Sequence, residues 1–455
     1  MEGVKKNRMG TEPILQLIIK MSIPAMFSML VQALYNIVDS IFVAQICDEA
    51  LTAVSLAFPI QVLLIAVAVG TGIGVNSLIS RRLGEGKQDE ADNAAKHGIV
   101  LGFISWIPFL IFGLFFTSMF FRVFTSNQNI INLGVEYTSY VSIFSFGVLV
   151  QCIIERILQA TGNMIYPMIF QIIGAITNAI LDPILIFGLL GFPKMGILGA
   201  AVATVVAQIL SMLYSFYVLI KKDHEIDVHF KGFRFSGRVT KEIYAVGLPS
   251  VILQSMSAVM VVAMNNILIA FSEVAVAVMG VYFKFQSFIF MPVFGLTNGI
   301  MPIMGYNFGA GNKKRLTSTI KISCFISAMI MFLGTLIFIF FGKNLLMIFN
   351  ASDDMINIGV KALRIISFSF LPASIGIVIS TFFQATNHGV SSLIMSFLRQ
   401  LVGIIPIAYF LSRFGLDYVW FAFPLSELLS IFAAFIMFIY IYKKQIQNLK
   451  LAYNE

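Results

Sequence analysis

Apolar runs of about twenty residues follow one another along nearly the whole chain, and a helix of that length crosses roughly 30 Å of hydrocarbon. Twelve runs are expected, near 16–44, 52–80, 94–118, 132–158, 163–190, 196–220, 242–270, 274–303, 316–341, 357–383, 389–412 and 417–442. The alternating segments of a transmembrane β-barrel are absent, so the pattern predicts an all-α membrane protein with twelve transmembrane helices. The first run breaks its own pattern. Gln32, Tyr35, Asn36 and Asp39 recur at spacings of three and four, which places them in one polar stripe of a helix. Asp39 has no basic residue beside it between Met21 and Ala44. A carboxylate at membrane depth costs a few kcal/mol or more, so the stripe faces protein or water rather than lipid.

The pattern also repeats. SIPAMFSML from Ser22 answers GLPSVILQS from Gly247, which pairs Pro24 with Pro249 at an offset of 225. LGEGK from Leu83 and FGAGN from Phe308 share that offset, as do LQATGN from Leu158 and FQATNH from Phe383. Three ordered matches indicate a duplication. Six spans per half make the repeat parallel, with two six-helix bundles related by a pseudo-twofold axis along the membrane normal and a cavity between them. The expected organisation is a cytoplasmic tail (1–15), an N-terminal bundle (16–220), a cytoplasmic linker (221–241), a C-terminal bundle (242–442) and a C-terminal tail (443–455).

Composition agrees: 58% of residues are hydrophobic and 11% charged, with a mean hydropathy of +0.91, against about 25% charged in soluble domains. The net charge of +8 does not point to nucleic acid, because of where the charge falls. With the N-terminus inside, 21 Lys and Arg lie on the cytoplasmic side, Arg156 among them, and 4 on the other. That bias places both termini in the cytoplasm of a plasma-membrane protein. The N-terminal stretch lacks a signal-peptide pattern and reads as a retained tail. Cys47, Cys152 and Cys324 are scattered and imply no disulfide framework. His224 and His229 in the linker lack further ligands, so no metal or cofactor is expected. GTGIGVN from Gly70 lies inside an apolar run, where small residues serve close helix packing, and LGEGK and FGAGN read as helix C-caps. No catalytic constellation is present, so the chain reads as a non-enzyme whose work draws on an ion gradient or runs downhill.

The halves differ in their acids. At offset 225, Gln32, Asn36 and Asp39 map onto Ser257, Val261 and Met264. In the fifth run Asn178 and Asp182 share a helical face before Pro183; matching Pro183 to Pro406 sets them against Leu401 and Ile405. Two carboxylates confined to one half suggest a dedicated cation site, the alternative being a buried hydrogen-bonding role. Such a pair titrates as a unit, and Asn178 with a hydroxyl such as Thr204 would complete an oxygen cage for Na+ or a proton. In the second half Gln286, Gln384, Arg399 and Glu427 lie at depth. Arg399 and Glu427, on neighbouring runs, suit either a structural pair or a substrate or gating role. With 23 Met and 45 Phe, a cavity lined by some of them would suit flat amphipathic cations.

SIPAM, YNIVDSIFVA, NSLISRRLGEG, LQATGN with FQATN, NAILDPILIFG and GAAVATVVAQ together resemble the prokaryotic multidrug and toxic compound extrusion (MATE) transporters. The resemblance covers nearly the whole chain. It implies an antiporter, a monomer in contact with membrane lipids, that exports small organic cations in exchange for H+ or Na+. It also implies a cation site at Asp39, Asn178, Asp182, Ala200 and Thr204, and a first-helix bend at Pro24. Gln32, Tyr35, Asn36, Gln384, Arg399 and Glu427 become accessory or substrate-binding candidates. The acids that another branch carries in its seventh and tenth helices are missing, which favours coupling in the N-terminal half. A flippase for a lipid-linked precursor is the alternative, disfavoured because Arg399 and Lys284 are the only deep basic residues to meet an anionic headgroup. A channel or scaffold has no need of such acids.

Overall fold

The computed structural model describes residues 7–222, 225–349, 351–447 and 449. Among these, every regular element is helical. In chain order the long helices are α1 (Ile14–Ala44), α2 (Asp48–Gly84), α3 (Gln88–Phe124), α4 (Gln128–Ile143), α5 (Phe146–Ala160), α6 (Ile165–Phe187) and α7 (Ile197–Lys221). After the linker come α8 (Gly237–Ile269), α9 (Glu273–Gly309), α10 (Lys313–Ile348), α11 (Asp353–Ser367), α12 (Phe370–Ala385), α13 (Gly389–Phe414) and α14 (Leu416–Ile446). Ten of these are long and apolar enough to cross a membrane alone; α4 with α5 and α11 with α12 form bent pairs, at 43° and 46°, which complete twelve spans.

Local chemistry sets the ends and the bends. Asn127, Ser272, Asn312 and Ser352 each accept a backbone N–H of the helix they precede, which satisfies a donor that the first turn leaves open. At the two bends Ser145 Oγ donates to the Ser142 carbonyl at 2.8 Å and Ser369 Oγ to the Ile366 carbonyl at 2.7 Å. Both hydroxyls compete with the backbone ladder, and they stand at corresponding places in the two halves. Helices α2 and α9 also end alike. Gly86 and Gly311, 225 positions apart, both adopt left-handed φ values of 70° and 69°, the conformation that favours glycine after a helix.

The chain sorts into two compact units, which we call the N-unit (Phe27–Ile79 and Lys87–Val251) and the C-unit (Ile252 onward, with Ser80–Gly86 and the chain up to Met26). Both α1 and α8 therefore begin in one unit and end in the other. The changeovers, after Met26 and after Val251, are again 225 residues apart. Glycines explain how the leading segments are accommodated. Within the N-unit, a Cβ on Gly70 would lie 2.8 Å from the Val251 nitrogen and one on Gly74 3.1 Å from the Gly247 nitrogen. Within the C-unit the equivalents are Gly295 against Met26 nitrogen at 2.7 Å and Gly299 against Ser22 nitrogen at 2.9 Å. Backbones can approach this closely only without side chains between them. The C-unit also holds a reciprocal contact: a Cβ on Gly84 would meet the Tyr306 carbonyl at 2.0 Å, and one on Gly309 the Arg81 carbonyl at 2.1 Å. A contact in which each partner plays both roles marks a local twofold axis.

The linker is tied down rather than merely solvated. Ser236 N–H donates to His97 Nε2 at 2.8 Å, and the His97 ring packs against Phe233 and Phe235. His229 contacts Asp227, while His224 lies outside the described residues. Among those residues no cluster of metal-ligating side chains occurs. Gly74→Val and Gly299→Val are each expected to destabilise the fold by about 1–3 kcal/mol through overpacking. Gly280→Ala, where a Cβ meets nothing within 4 Å, should leave the thermal unfolding midpoint in detergent unchanged; equal midpoints for all three would refute the packing role.

Candidate cation site

Helix α6 carries Asn178 and Asp182 one turn apart, both fully buried. Small residues on α7 allow it to pack tightly there. A Cβ on Gly199 would lie 2.6 Å from the Leu185 carbonyl carbon, and Ala200, Ala203 and Ala207 are buried along the same stretch. That approach brings Thr204 into reach of α6. Asn178 Nδ2 donates to Asp182 Oδ1 at 3.2 Å and lies 3.3 Å from Thr204 Oγ1. Tyr35, one turn before Asp39 on α1, comes within reach of Thr204. Ala200 contributes apolar packing, in a cluster with Ile186 and Ile197.

The Asp39 carboxyl comes within hydrogen-bonding reach of Asp182. Oδ1 of Asp39, Oδ2 of Asp182 and Oδ1 of Asn178 are buried and, among the described residues, receive no donor. Two carboxylates face to face without a donor between them repel each other strongly in a low dielectric. A shared proton or a monovalent cation relieves that repulsion. All five residues expected at a cation site therefore fall within one region of the N-unit, four of them linked directly and Ala200 packed behind. In the C-unit the counterpart of Asp39, Met264, is fully buried in an apolar core with Met260, Leu268 and Ile404.

The site opens on a cavity of about 240 Å³ within the N-unit, lined by Asp39 and Thr204 and by the stripe residues Gln32, Tyr35 and Asn36. Asp182 and Asn178 lie behind this wall. Gln61 Nε2 donates to Tyr137 OH at 2.9 Å, and Tyr137 lies within electrostatic reach of Asp39. Elsewhere the wall carries a second polar group that pattern reading did not single out. Glu155, on α5, is 7% exposed and accepts from Gln151 at 3.3 Å, Gln159 at 3.0 Å and Gln171 at 3.0 Å. Arg156 is not a loop residue, as its count among the cytoplasmic basic residues implied. It lies within α5, 5% exposed, lines the cavity and donates to Gln159 Oε1 at 3.0 Å. The available signal was an adjacent acid and base inside the fourth apolar run.

The remaining candidates belong to the C-unit and do not line this cavity. Arg399 Nη1 pairs with Glu427 Oε1 at 3.4 Å, from a π-helical turn over Leu398–Ile404. Gln384 Nε2 donates to Ser392 Oγ at 3.2 Å. Pro24 sits inside the continuous helix α1, two residues before that helix changes unit.

Comparison with known proteins follows the same lines. The MatE family model matches residues 24–184 and again 248–410, once in each half. The chain is 26% identical to a FAD transporter of Shewanella oneidensis, over 93% of this chain and 94% of that protein. It is 25% identical to the multidrug export protein MepA of Staphylococcus aureus, over 93% of each. A solved structure of a multidrug resistance MATE family transporter of the MOP superfamily, in its outward-facing conformation, superposes with a TM-score of 0.90 at 28% identity, over 98% of this chain and all of that one.

Removing the Asn178 amide leaves Asp182 Oδ1 without its donor, so Asn178→Ala should cost about 1–3 kcal/mol of stability. Thr204→Val removes a hydroxyl that has other neighbours and should cost less. Thermal unfolding in detergent checks this order, and the reverse order would contradict the hydrogen-bond assignment.

Proposed function

The chain belongs to the MatE family of membrane transporters, and from that premise we propose that it is a secondary antiporter, exporting amphipathic organic cations as H+ or Na+ enters. The observation that carries the reading is the apposition of Asp39 and Asp182 in one unit, where Oδ1 of Asp39 and Oδ2 of Asp182 are buried and, among the described residues, receive no donor, with Asp39 lining the cavity. In this reading Asp39, Asn178, Asp182 and Thr204 hold the coupling ion and Ala200 shapes the wall behind it. Residues 16–220 and 242–442 act as the two moving bundles of a monomer in the plasma membrane, with both termini in the cytoplasm. Bound ion favours the conformation that binds it more tightly, and only by that difference in affinity. Helix α1 bends at Pro24 as the ion loads, close to the place where it passes from one unit to the other. The C-unit pair Arg399–Glu427 then holds the helices of a half that carries no coupling ion.

A second reading concerns the solute. Gln32, Asn36, Gln61, Gln151, Gln171 and Gln208 line the cavity with side-chain amides, which can donate to and accept from the edge of a heteroaromatic ring. Together with the FAD transporter among the relatives, this favours a flavin-like solute as the alternative to a simple cation.

Proteoliposomes under separately imposed pH and Na+ gradients test both. Ethidium movement driven by one of the gradients in the wild type, and reduced to the level of empty liposomes by Asp39→Asn, is the expected result. FAD movement in its place would select the second reading. Gradient-driven ethidium movement by Asp39→Asn at the wild-type rate would overturn the proposed coupling site.

A further inference from the structure

Helix α14 ends in a π-helical turn over Tyr442–Ile446, a geometry that recurs at functional sites. Beside it, within the C-unit, lies a cavity of about 280 Å³, lined by Ser391 near the start of α13 and by Tyr440, Lys444 and Gln445 of α14. His388, whose Nδ1 lies 3.1 Å from Thr386 Oγ1, closes one side, and Met437 and Ile441 add apolar wall. The polar groups here are rich in hydrogens to give. Lys444 Nζ donates one to Tyr440 OH at 3.3 Å, which leaves two on the ammonium. The hydroxyl hydrogens of Tyr440 and Ser391 and the side-chain amide of Gln445 have no partner among the described residues. No acidic residue lines the cavity, and Lys444 meets no carboxylate among the described residues. One cation and several donors with no carboxylate to receive them suit an oxyanion, whose charge shortens and strengthens such bonds.

The adjoining surface indicates what carries that oxyanion. Phe432, Ile436 and Tyr440 stand four residues apart on α14 and are each more than half exposed. They form one apolar stripe, and Tyr440 belongs both to the stripe and to the cavity. A soluble anion leaves the stripe uncovered, whereas a lipid covers both. With the termini in the cytoplasm, as proposed above, this end of α14 lies at the inner leaflet, where anionic lipids gather and tyrosine is enriched.

We infer that this cavity binds the phosphate of an anionic phospholipid. Lys444 supplies the opposite charge, Tyr440, Ser391 and Gln445 donate to the phosphate oxygens, and an acyl chain lies along the stripe. The inference rests on the proposed placement of the termini but not on the identity of the solute or the coupling ion. The ligand ties the end of α14 to the start of α13, within the half that carries no acid pair.

Native mass spectrometry of the purified full-length protein in detergent tests this, with titrations of phosphatidylglycerol, phosphatidylcholine and inorganic phosphate. Phosphatidylglycerol should bind at least about tenfold more tightly than phosphatidylcholine, whose own cation would face the Lys444 ammonium. Inorganic phosphate at equal concentration should not displace it, because that anion gains nothing from the stripe. Lys444→Gln is expected to weaken phosphatidylglycerol binding about tenfold, which corresponds to 1.4 kcal/mol. Lys443→Gln, at an exposed neighbour that does not line the cavity, should leave it unchanged. Both substitutions fall on exposed side chains, so the fold tolerates them. Equal affinity for the two lipids, displacement by inorganic phosphate, full affinity in Lys444→Gln or an equal loss in Lys443→Gln would each overturn the site. None of these outcomes bears on the antiport reading, which the gradient experiment tests separately.

Discussion

Two carboxyl groups facing each other without a donor in between cannot both stay charged and unaccompanied at membrane depth. That constraint organises the N-unit. Asn178 commits its amide to Asp182 and Thr204, which steadies one acid and leaves Oδ1 of Asp39 and Oδ2 of Asp182 buried without a donor among the described residues. The tight packing of α7 on α6, made possible by Gly199 and the alanines after it, exists on the same few turns. Where the duplicated half carries Met264 in place of Asp39, that residue is buried among apolar side chains. The asymmetry between halves is therefore an asymmetry of electrostatics imposed on a common backbone plan.

That plan is a duplication whose halves exchange their first helical segments. Helices α1 and α8 each start in the unit that the other finishes in, and paired glycines permit both crossings. Any change in the shape of α1 near Pro24 consequently concerns two units at once. An ion bound at Asp39, four turns further along the same helix, has a covalent and continuous route to that crossing. This gives the family's ion-driven transport a concrete element to act through, a single helix with one end in each unit.

Much of this was legible in the chain. Twelve apolar runs fell on ten helices and two bent pairs because hydropathy and length decide what a bilayer accepts. The repeat was visible through Pro24 with Pro249 and the glycine turns, because those residues serve backbone needs that both halves share. The pairing of Asp39 with Asp182 followed from their common loss in the second half. Other features were hidden. The bends in α4–α5 and α11–α12 depend on serine hydroxyls that look ordinary in a sequence. The exchange of leading segments depends on contacts more than 150 residues apart in the chain. Glu155 and Arg156 were obscured because an adjacent acid and base near the end of a run look like a loop, and because their glutamine partners come from two helices.

A monovalent cation held, as proposed, by the acid pair of the N-unit has an affinity linked to that of the solute. Linkage between two binding sites is reciprocal, so it can be read without a membrane. The direct measurement is the number of protons released, in weakly buffered detergent solution near neutral pH, when tetraphenylphosphonium binds, repeated with the protein preloaded with Na+ and the release of Na+ counted. About one cation of one kind is expected to leave per chain, and Asp182→Asn is expected to abolish the release. Solute binding with no cation released from the wild type, in either form of the experiment, would contradict it.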